Sequence, residues 1–122
     1  MSASILTVDD SASLRMAIRI ALTGAGYTVT EAGDGVEGLA RAAEARFDMI
    51  VTDLNMPNMD GLTMIRELRS QPAQAGIPII FLTTESDAEM KAQAKAAGAT
   101  GWLVKPFVPE QLVKVARKVL GR

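Results

Sequence analysis

The chain has 122 residues, of which 48% are hydrophobic, and a formal net charge of −1 at pH 7. This length predicts one domain at roughly 100–200 residues per domain, the composition excludes a disordered chain, and the balanced charge gives no reason to expect nucleic acid as a partner. The sequence contains neither cysteine nor histidine, which excludes disulfide scaffolds, thiolate nucleophiles, His-based general bases and zinc sites built on these ligands.

Short apolar runs alternate with amphipathic segments along the whole chain. The predicted strands are residues 5–8, 27–30, 47–51, 77–82 and 101–104. Between and after them, apolar residues at helical spacing predict helices around 14–22, 36–43, 62–68, 85–97 and 109–120. Ser11 is suited to cap the first helix, Gly98 to end the fourth and Pro109 to begin the last. Five βα units with short connections predict a doubly wound α/β protein, a parallel five-stranded sheet between two layers of helices.

The fourth predicted helix is poor in large apolar side chains. Between residues 86 and 98 Met90 is the only one, and the others are alanine or polar. A helix with so little to bury is expected to be weakly held. Two interpretations remain open at this point: an ordinary alanine-rich surface helix, or an element that moves.

Polar side chains follow four of the five predicted strands. At the carboxyl ends of a parallel sheet, where ligands bind in such folds, the sequence places Asp9, Asp10, Asp53, Thr83, Thr84 and Lys105. Three carboxylates in one cleft repel each other, so either one is protonated or a cation lies between them. Three negative charges balance one lysine and one divalent ion, and oxygen ligands favour Mg²⁺ or Mn²⁺.

A carboxylate beside a cation, a lysine and a hydroxyl suggests phosphoryl transfer onto the carboxylate. Asp53 is the predicted acceptor because it ends the central third strand, while the adjacent Asp9 and Asp10 suit metal binding. Lys105 and Thr83 are predicted to contact the phosphoryl oxygens. Each residue also has an ordinary explanation, as a helix cap, a turn residue, a surface lysine or a strand residue, and only their joint placement favours a site.

The motifs that carry these residues resemble those of the receiver domains of two-component response regulators, and most of all their CheY-like, single-domain chemotaxis members. They are Val8-Asp9-Asp10-Ser11, Thr52-Asp53-Leu54-Asn55-Met56-Pro57, Met59-Asp60-Gly61, Leu82-Thr83-Thr84 and Val104-Lys105-Pro106-Phe107. The resemblance covers essentially the whole chain. It implies a flavodoxin-like (βα)5 fold with strand order 2-1-3-4-5, and one receiver domain over residues 1–122 with no output domain.

The same resemblance implies roles for single residues. Asp53 accepts the phosphoryl group. Mg²⁺ binds to Asp10, Asp53 and the backbone carbonyl of Asn55, and to Asp9 through water. Lys105 contacts the phosphoryl group, and its peptide bond to Pro106 is expected to be cis.

The resemblance also implies a switch and a way of tuning it. Thr83 is expected to move towards the phosphoryl group, with the aromatic side chain at position 102 turning inward behind it. That aromatic is Trp102, where tyrosine or phenylalanine is more familiar, and a partly exposed tryptophan packed on the fourth helix is the other interpretation. Asn55 and Glu85 lie where the family tunes dephosphorylation.

The implied function is signalling and not enzymatic. A histidine kinase, of the chemotaxis type, donates the phosphate, and the fourth helix, fifth strand and last helix then bind the flagellar switch protein or another protein target. A phosphatase is a further expected partner, and the chain is expected to be a monomer. It lacks an apolar run of ~20 residues and a signal peptide, so we expect a cytoplasmic protein with neither membrane nor nucleic-acid partners.

Three other functions stay under consideration. The chain can act as a phosphate sink or a phosphorelay intermediate instead of a motor regulator. It can be a receiver that binds partners without phosphorylation, although the residues for phosphorylation are present. A flavodoxin-like redox carrier has the same architecture, but Asp9 and Asp10 would repel a flavin phosphate.

Overall fold

The computed structural model describes residues 3–54, 56–74, 76–84 and 88–121. The strands are β1 (Ser4–Val8), β2 (Thr28–Ala32), β3 (Met49–Asp53), β4 (Ile79–Thr83) and β5 (Gly101–Val104). The helices are α1 (Ala12–Gly24), α2 (Gly35–Glu44), α3 (Gly61–Arg69), α4 (Ala88–Ala97) and α5 (Pro109–Leu120), and a 3-10 turn follows α3 at Pro72–Gln74. None of the helices in this part of the chain has the length and apolar character of a membrane-spanning segment.

All the strand pairs are parallel, and the strand order is β2-β1-β3-β4-β5. The predicted doubly wound fold and its strand order are therefore confirmed. The register aligns the carboxyl ends of the inner strands, since Val8 pairs with Thr52 and Asp53 pairs with Leu82. At the next step Thr83 pairs with Val104. The residues at the ends of β1, β3, β4 and β5 consequently share one edge of the sheet.

The sheet separates two apolar cores. One contains Leu6 and Phe81 and lies against α2, α3 and α4, while the other contains Ile5 and Leu82 and lies against α1 and α5. Neighbouring residues of one strand point to opposite faces, so β1 and β4 contribute to both cores. The inner strands β1, β3 and β4 are buried almost throughout, and for this reason they are largely apolar on both faces, whereas the edge strands β2 and β5 are only partly buried.

Three strands begin later than the sequence predicted. The Tyr27 N–H donates to the Leu22 carbonyl and completes the end of α1, so β2 begins one residue on. Asp48 accepts a hydrogen bond from the Ser4 N–H through its side chain (2.8 Å), which delays β3 to Met49. Pro78 has no N–H for the ladder, and β4 begins after it.

The carboxyl end of α4 is held by a residue of α3. The Arg69 guanidinium donates from Nε and Nη2 to the Gly98 carbonyl (3.0 and 2.8 Å) and from Nη1 to the Gln74 carbonyl (3.0 Å). Gly98 has φ +113°, and an added Cβ would lie 2.6 Å from Arg69 Cγ, so only glycine fits here. The helix buries little more than Ala94 and Ala97, which agrees with its predicted small apolar face. Its predicted start at Glu85 lies outside the described residues.

Candidate functional site

The centre of the site is a lysine between two aspartates from different strands. Lys105, which follows β5, places Nζ 2.9 Å from Asp53 Oδ1 and 3.5 Å from Asp9 Oδ2. The Asp9 side chain is almost fully buried, at 2% exposure, and that of Asp53 is 10% exposed. The register of the sheet produces this meeting, because Asp9 and Lys105 are 96 residues apart in sequence and reach the same edge only since β1, β3, β4 and β5 run parallel.

Asp10 completes an acidic cluster at the same edge. One carboxylate oxygen from each of Asp9, Asp10 and Asp53 lies within 4.8 Å of the other two, and Asp10 is the exposed member. Oxygen donors alone, at this spacing and with one member open to solvent, are the ligand type that Mg²⁺ prefers. The donor set therefore fits a hard divalent cation, as the sequence predicted.

The environment shifts the proton affinities of two of these groups. Burial raises the pKa of Asp9, and the charge of Asp53 acts in the same direction against the opposing effect of the Ser11 N–H and Lys105. For Lys105, burial alone would lower the pKa, but its hydrogen bond to Asp53 and the charges of both aspartates outweigh this and raise it. The ammonium form of Lys105 is thus favoured beside Asp53.

Asp9 is also fixed from the side of α1. Its Oδ1 accepts a hydrogen bond from the Ser11 N–H (2.8 Å), and its backbone carbonyl accepts one from Arg15 Nη1. The Arg15 guanidinium in turn pairs through Nε with Glu31 Oε1 at 3.3 Å. Sequence reasoning missed Arg15, and the only signal for it is an arginine one helical turn after the cap residue Ser11.

The β3–α3 loop, residues 54–60, begins directly after Asp53 and is closed at its base. The Gly61 N–H donates to the Leu54 carbonyl (2.9 Å). A Cβ at Gly61 would overlap the Asp53 carbonyl oxygen, so a side chain here would push α3 away from the end of β3. Asp60 then caps α3 by accepting from the Thr63 N–H (2.8 Å).

The remaining predicted residues have different outcomes. Thr83 ends β4 and is buried, and its carbonyl accepts a hydrogen bond from the Lys105 N–H (2.7 Å). The neighbouring Thr84 is exposed. The Lys105–Pro106 peptide bond is cis. Asn55 and Glu85, the two predicted tuning positions, lie outside the described residues.

Trp102 lies on β5 beside α4. Trp102 is 37% exposed, and Lys91 Nζ lies 5.3 Å from the centroid of its ring. This arrangement matches the interpretation of a partly exposed aromatic against the fourth helix. Lys91 supplies a cation–π contact to this ring, which the sequence did not predict.

The fold and the site together define a doubly wound α/β protein with an acidic edge whose donors fit a divalent cation, and with a lysine held against its central aspartate. Residues 5–117 match the family of response regulator receiver domains, and the chain belongs to this family. Receiver domains are signalling domains that take phosphoryl groups from histidine kinases and bind Mg²⁺ at an acidic pocket.

Similar proteins of known structure or curated function fall into more than one group. The chain is 49% identical to the chemotaxis response regulator CheY4 of Vibrio cholerae, with a TM-score of 0.94 over 98% of this chain and 100% of that chain. It is 30% identical to the receiver domain of the sensor histidine kinase PA1611 of Pseudomonas aeruginosa, solved with magnesium in its active-site cleft (TM-score 0.90, 100% of both chains). It is 37% identical to the transcriptional regulatory protein ResD of Bacillus subtilis over 97% of this chain and 48% of that protein. The chain thus spans about half the length of the curated relatives it matches.

Proposed function

We propose that this chain is a phosphorylation-switched receiver in which Asp53 accepts a phosphoryl group from a histidine kinase. The observation that carries the proposal is the 2.9 Å contact between Lys105 Nζ and Asp53 Oδ1 within a cluster of three carboxylates. A carboxylate that ends a central strand, faces a cation-binding cleft and is paired with a lysine has the surroundings that phosphoryl transfer needs.

The chemistry at Asp53 is a displacement at phosphorus. An Asp53 oxygen forms the new bond to phosphorus while the bond from phosphorus to the nitrogen of the donor histidine breaks, and the electron pair of that bond returns to the imidazole. Lys105 orients the Asp53 carboxylate before transfer and then binds an oxygen of the phosphoryl group. Thr83, at the end of the neighbouring strand, donates its hydroxyl to another of these oxygens.

The acidic cluster is assigned to the cation. Asp10, Asp53 and the backbone carbonyl of Asn55 would bind Mg²⁺ directly, and Asp9 would bind it through water; Mn²⁺ has the same ligand preference. When bound, Mg²⁺ supplies positive charge against the oxygens of the phosphoryl group. Asp9 stays fixed for this role by the hydrogen bonds from Ser11 and Arg15.

The output in this proposal is a change in the surface formed by α4, β5 and α5. Phosphorylation adds charge at Asp53, Thr83 responds to it, and Trp102 on β5 carries the change to the surface. Chemotaxis, with the flagellar switch protein as target, is the role we propose. It is supported by 49% identity to CheY4 over the whole of that chain.

A second role is favoured by a separate observation. The 37% identity to ResD over 97% of this chain supports a receiver that controls transcription as part of a longer protein. In that role the α4, β5 and α5 surface would contact another receiver or an attached domain instead of a motor protein. A phosphate sink or a relay intermediate would use the same acceptor and needs no target at this surface.

Phosphate uptake is tested by intact mass. The native chain, Asp53→Asn and the matched control Asp60→Asn are incubated with acetyl phosphate and Mg²⁺ and quenched in acid. We expect one phosphate adduct on the native chain and on the control, and none on Asp53→Asn. No adduct on the native chain, or an adduct that persists in Asp53→Asn, contradicts the proposed acceptor.

The target is tested by binding. The affinity for the purified flagellar switch protein of the same organism is measured with and without acetyl phosphate and Mg²⁺, for the native chain and for Asp53→Asn. Tighter binding on phosphorylation of the native chain alone supports the chemotaxis role. An affinity that phosphorylation leaves unchanged contradicts that role while leaving the acceptor proposal intact.

A further inference from the structure

The tip of the β3–α3 loop rests on the start of α2, a helix that contributes no side chain to the acidic cluster. Asn58, at this tip, donates from Nδ2 to Asp34 Oδ2 at 2.7 Å. The other oxygen of Asp34, Oδ1, accepts a hydrogen bond from the Glu37 N–H (2.8 Å) and caps α2. One carboxylate therefore joins the beginning of α2 to the loop that starts at Asp53.

The backbone at the tip needs such support. Asn58 has φ +68°, and among the described residues other than glycine it alone has a positive φ. Asparagine tolerates this left-handed region better than most residues, but a conformation of this kind persists when surrounding contacts hold it. The hydrogen bond to Asp34 is a charge-assisted contact of the kind that can hold it.

A second contact lies one residue further along each segment. Met59 packs against Gly35, the first residue of α2, so closely that an added Cβ would lie 2.7 Å from the Met59 carbonyl oxygen and 2.9 Å from its Cβ. The loop approaches α2 at this distance only because residue 35 has no side chain. Asp34 thus binds the loop by a hydrogen bond to Asn58, and Gly35 allows Met59 to pack directly against the start of α2.

We propose that Asp34 and Gly35 are positioning residues for the cation site. They fix the tip of the β3–α3 loop, while the hydrogen bond between Gly61 and Leu54 fixes its base. A loop held at both ends has fewer conformations to lose when a cation binds beside Asp53. The inference rests on the proposed function, because it concerns Mg²⁺ bound at Asp53, from which this loop begins.

Two substitutions separate the loop contact from helix capping. Asp34→Ser keeps a side chain that caps α2 but has a single, shorter oxygen that cannot also reach Asn58. Asn58→Gly keeps easy access to positive φ but removes the donor. The double variant completes a cycle that isolates their interaction. The control is Glu44→Ser, which removes the exposed pair with Arg41 (3.3 Å) at the other end of the same helix.

The dissociation constant for Mg²⁺ is measured by titration calorimetry, and the free energy of unfolding is measured in urea without Mg²⁺. We expect each single variant to raise the dissociation constant about fivefold, about 1 kcal/mol at 1.4 kcal/mol per tenfold. The double variant is expected to lose no more Mg²⁺ affinity than either single variant, and the control is expected to keep the native affinity. Gly35→Ala is also expected to weaken Mg²⁺ binding, although alanine favours a helix more than glycine does.

Two results in the variants would overturn the inference. The first is that Asp34→Ser and Asn58→Gly bind Mg²⁺ with native affinity. The contact would then be merely structural, even if the free energy of unfolding of both variants falls. The second is that the dissociation constant for Mg²⁺ rises in the double variant by the product of the two single-variant increases, because the two residues would then act independently. If the native chain binds Mg²⁺ and takes up phosphate while all variants match it, this inference alone fails. If the native chain binds no Mg²⁺, the proposed function fails and this inference with it.

Discussion

Neutralising Asp10 is expected to stabilise the metal-free protein and to remove most of its response to Mg²⁺. Asp10 is the exposed member of the carboxylate cluster, and no described ion pair offsets its charge. The carboxylate oxygens of the cluster lie within 4.8 Å of one another, and two unit charges at this upper limit repel by about 0.9 kcal/mol in water and by about 3.5 kcal/mol at an effective dielectric constant of 20.

The lower figure applies to an exposed group, and Asp10 has two such neighbours, Asp9 and Asp53. The sum is about 2 kcal/mol, of which part persists in the unfolded chain because Asp9 and Asp10 are adjacent in sequence. Asp10→Asn is therefore expected to raise the free energy of unfolding by about 1 kcal/mol. With Mg²⁺ at 100 times its dissociation constant, the native chain gains about 2.7 kcal/mol and becomes the more stable of the two.

The assay is urea unfolding of both proteins with and without Mg²⁺. Glu67→Gln, at an exposed acid on α3, changes the net charge by the same amount and is expected to have little effect in either condition. A metal-free Asp10→Asn protein that is clearly less stable than the native chain would refute the repulsion argument. An equal gain from Mg²⁺ in both proteins would refute the assignment of Asp10 as a ligand.

Three further predictions concern other parts of the molecule. Thr7 is buried on β1 and its Oγ1 has no hydrogen-bond partner, so Thr7→Val is expected to raise the free energy of unfolding in urea by about 1 kcal/mol; an unchanged or lower value contradicts this. Hydrogen bonds, first from the Glu37 N–H and second from Asn58, lower the pKa of Asp34. The ionised form of Asp34 therefore stabilises the fold above the pKa of the unfolded chain, and this contribution is lost as the pH falls through the lower pKa of the folded protein. Asn58→Gly should raise that pKa in a carbon-13 NMR titration, and an unmoved titration curve argues against the contact. Lys91→Ala uncovers the Trp102 ring, so acrylamide should quench its fluorescence more efficiently, and equal quenching means that Lys91 does not cover it.

The sequence was sufficient to predict which strand ends meet. Parallel βα units bring every carboxyl strand end to one edge, and for this reason Asp9, Asp10, Asp53 and Lys105 could be grouped without any knowledge of distances. The strand boundaries were less accurate, because they depend on single hydrogen bonds such as the one that the Ser4 N–H donates to the Asp48 side chain. No periodicity in the sequence carries that information.

The supporting contacts around the site could not be predicted in the same way. The hydrogen bond between Asn58 and Asp34 depends on one residue with φ +68°, and Arg15 reaches the Asp9 carbonyl only once α1 is docked at the end of β1. The first contact joins residues 24 positions apart and the second joins residues six positions apart. Both depend on how loops orient the neighbouring segments, and there the direction of a side chain is set by the tertiary fold.

The central claim is that Asp53 itself carries the phosphate, and mapping the modified residue tests it most directly. The chain is treated with acetyl phosphate and Mg²⁺, the acyl phosphate is reduced with borohydride, and the protein is digested and sequenced by mass spectrometry. The account predicts homoserine at position 53 and an unmodified carboxylate at Asp9, Asp10 and Asp60. Homoserine at one of these other positions, with Asp53 intact, would contradict the account.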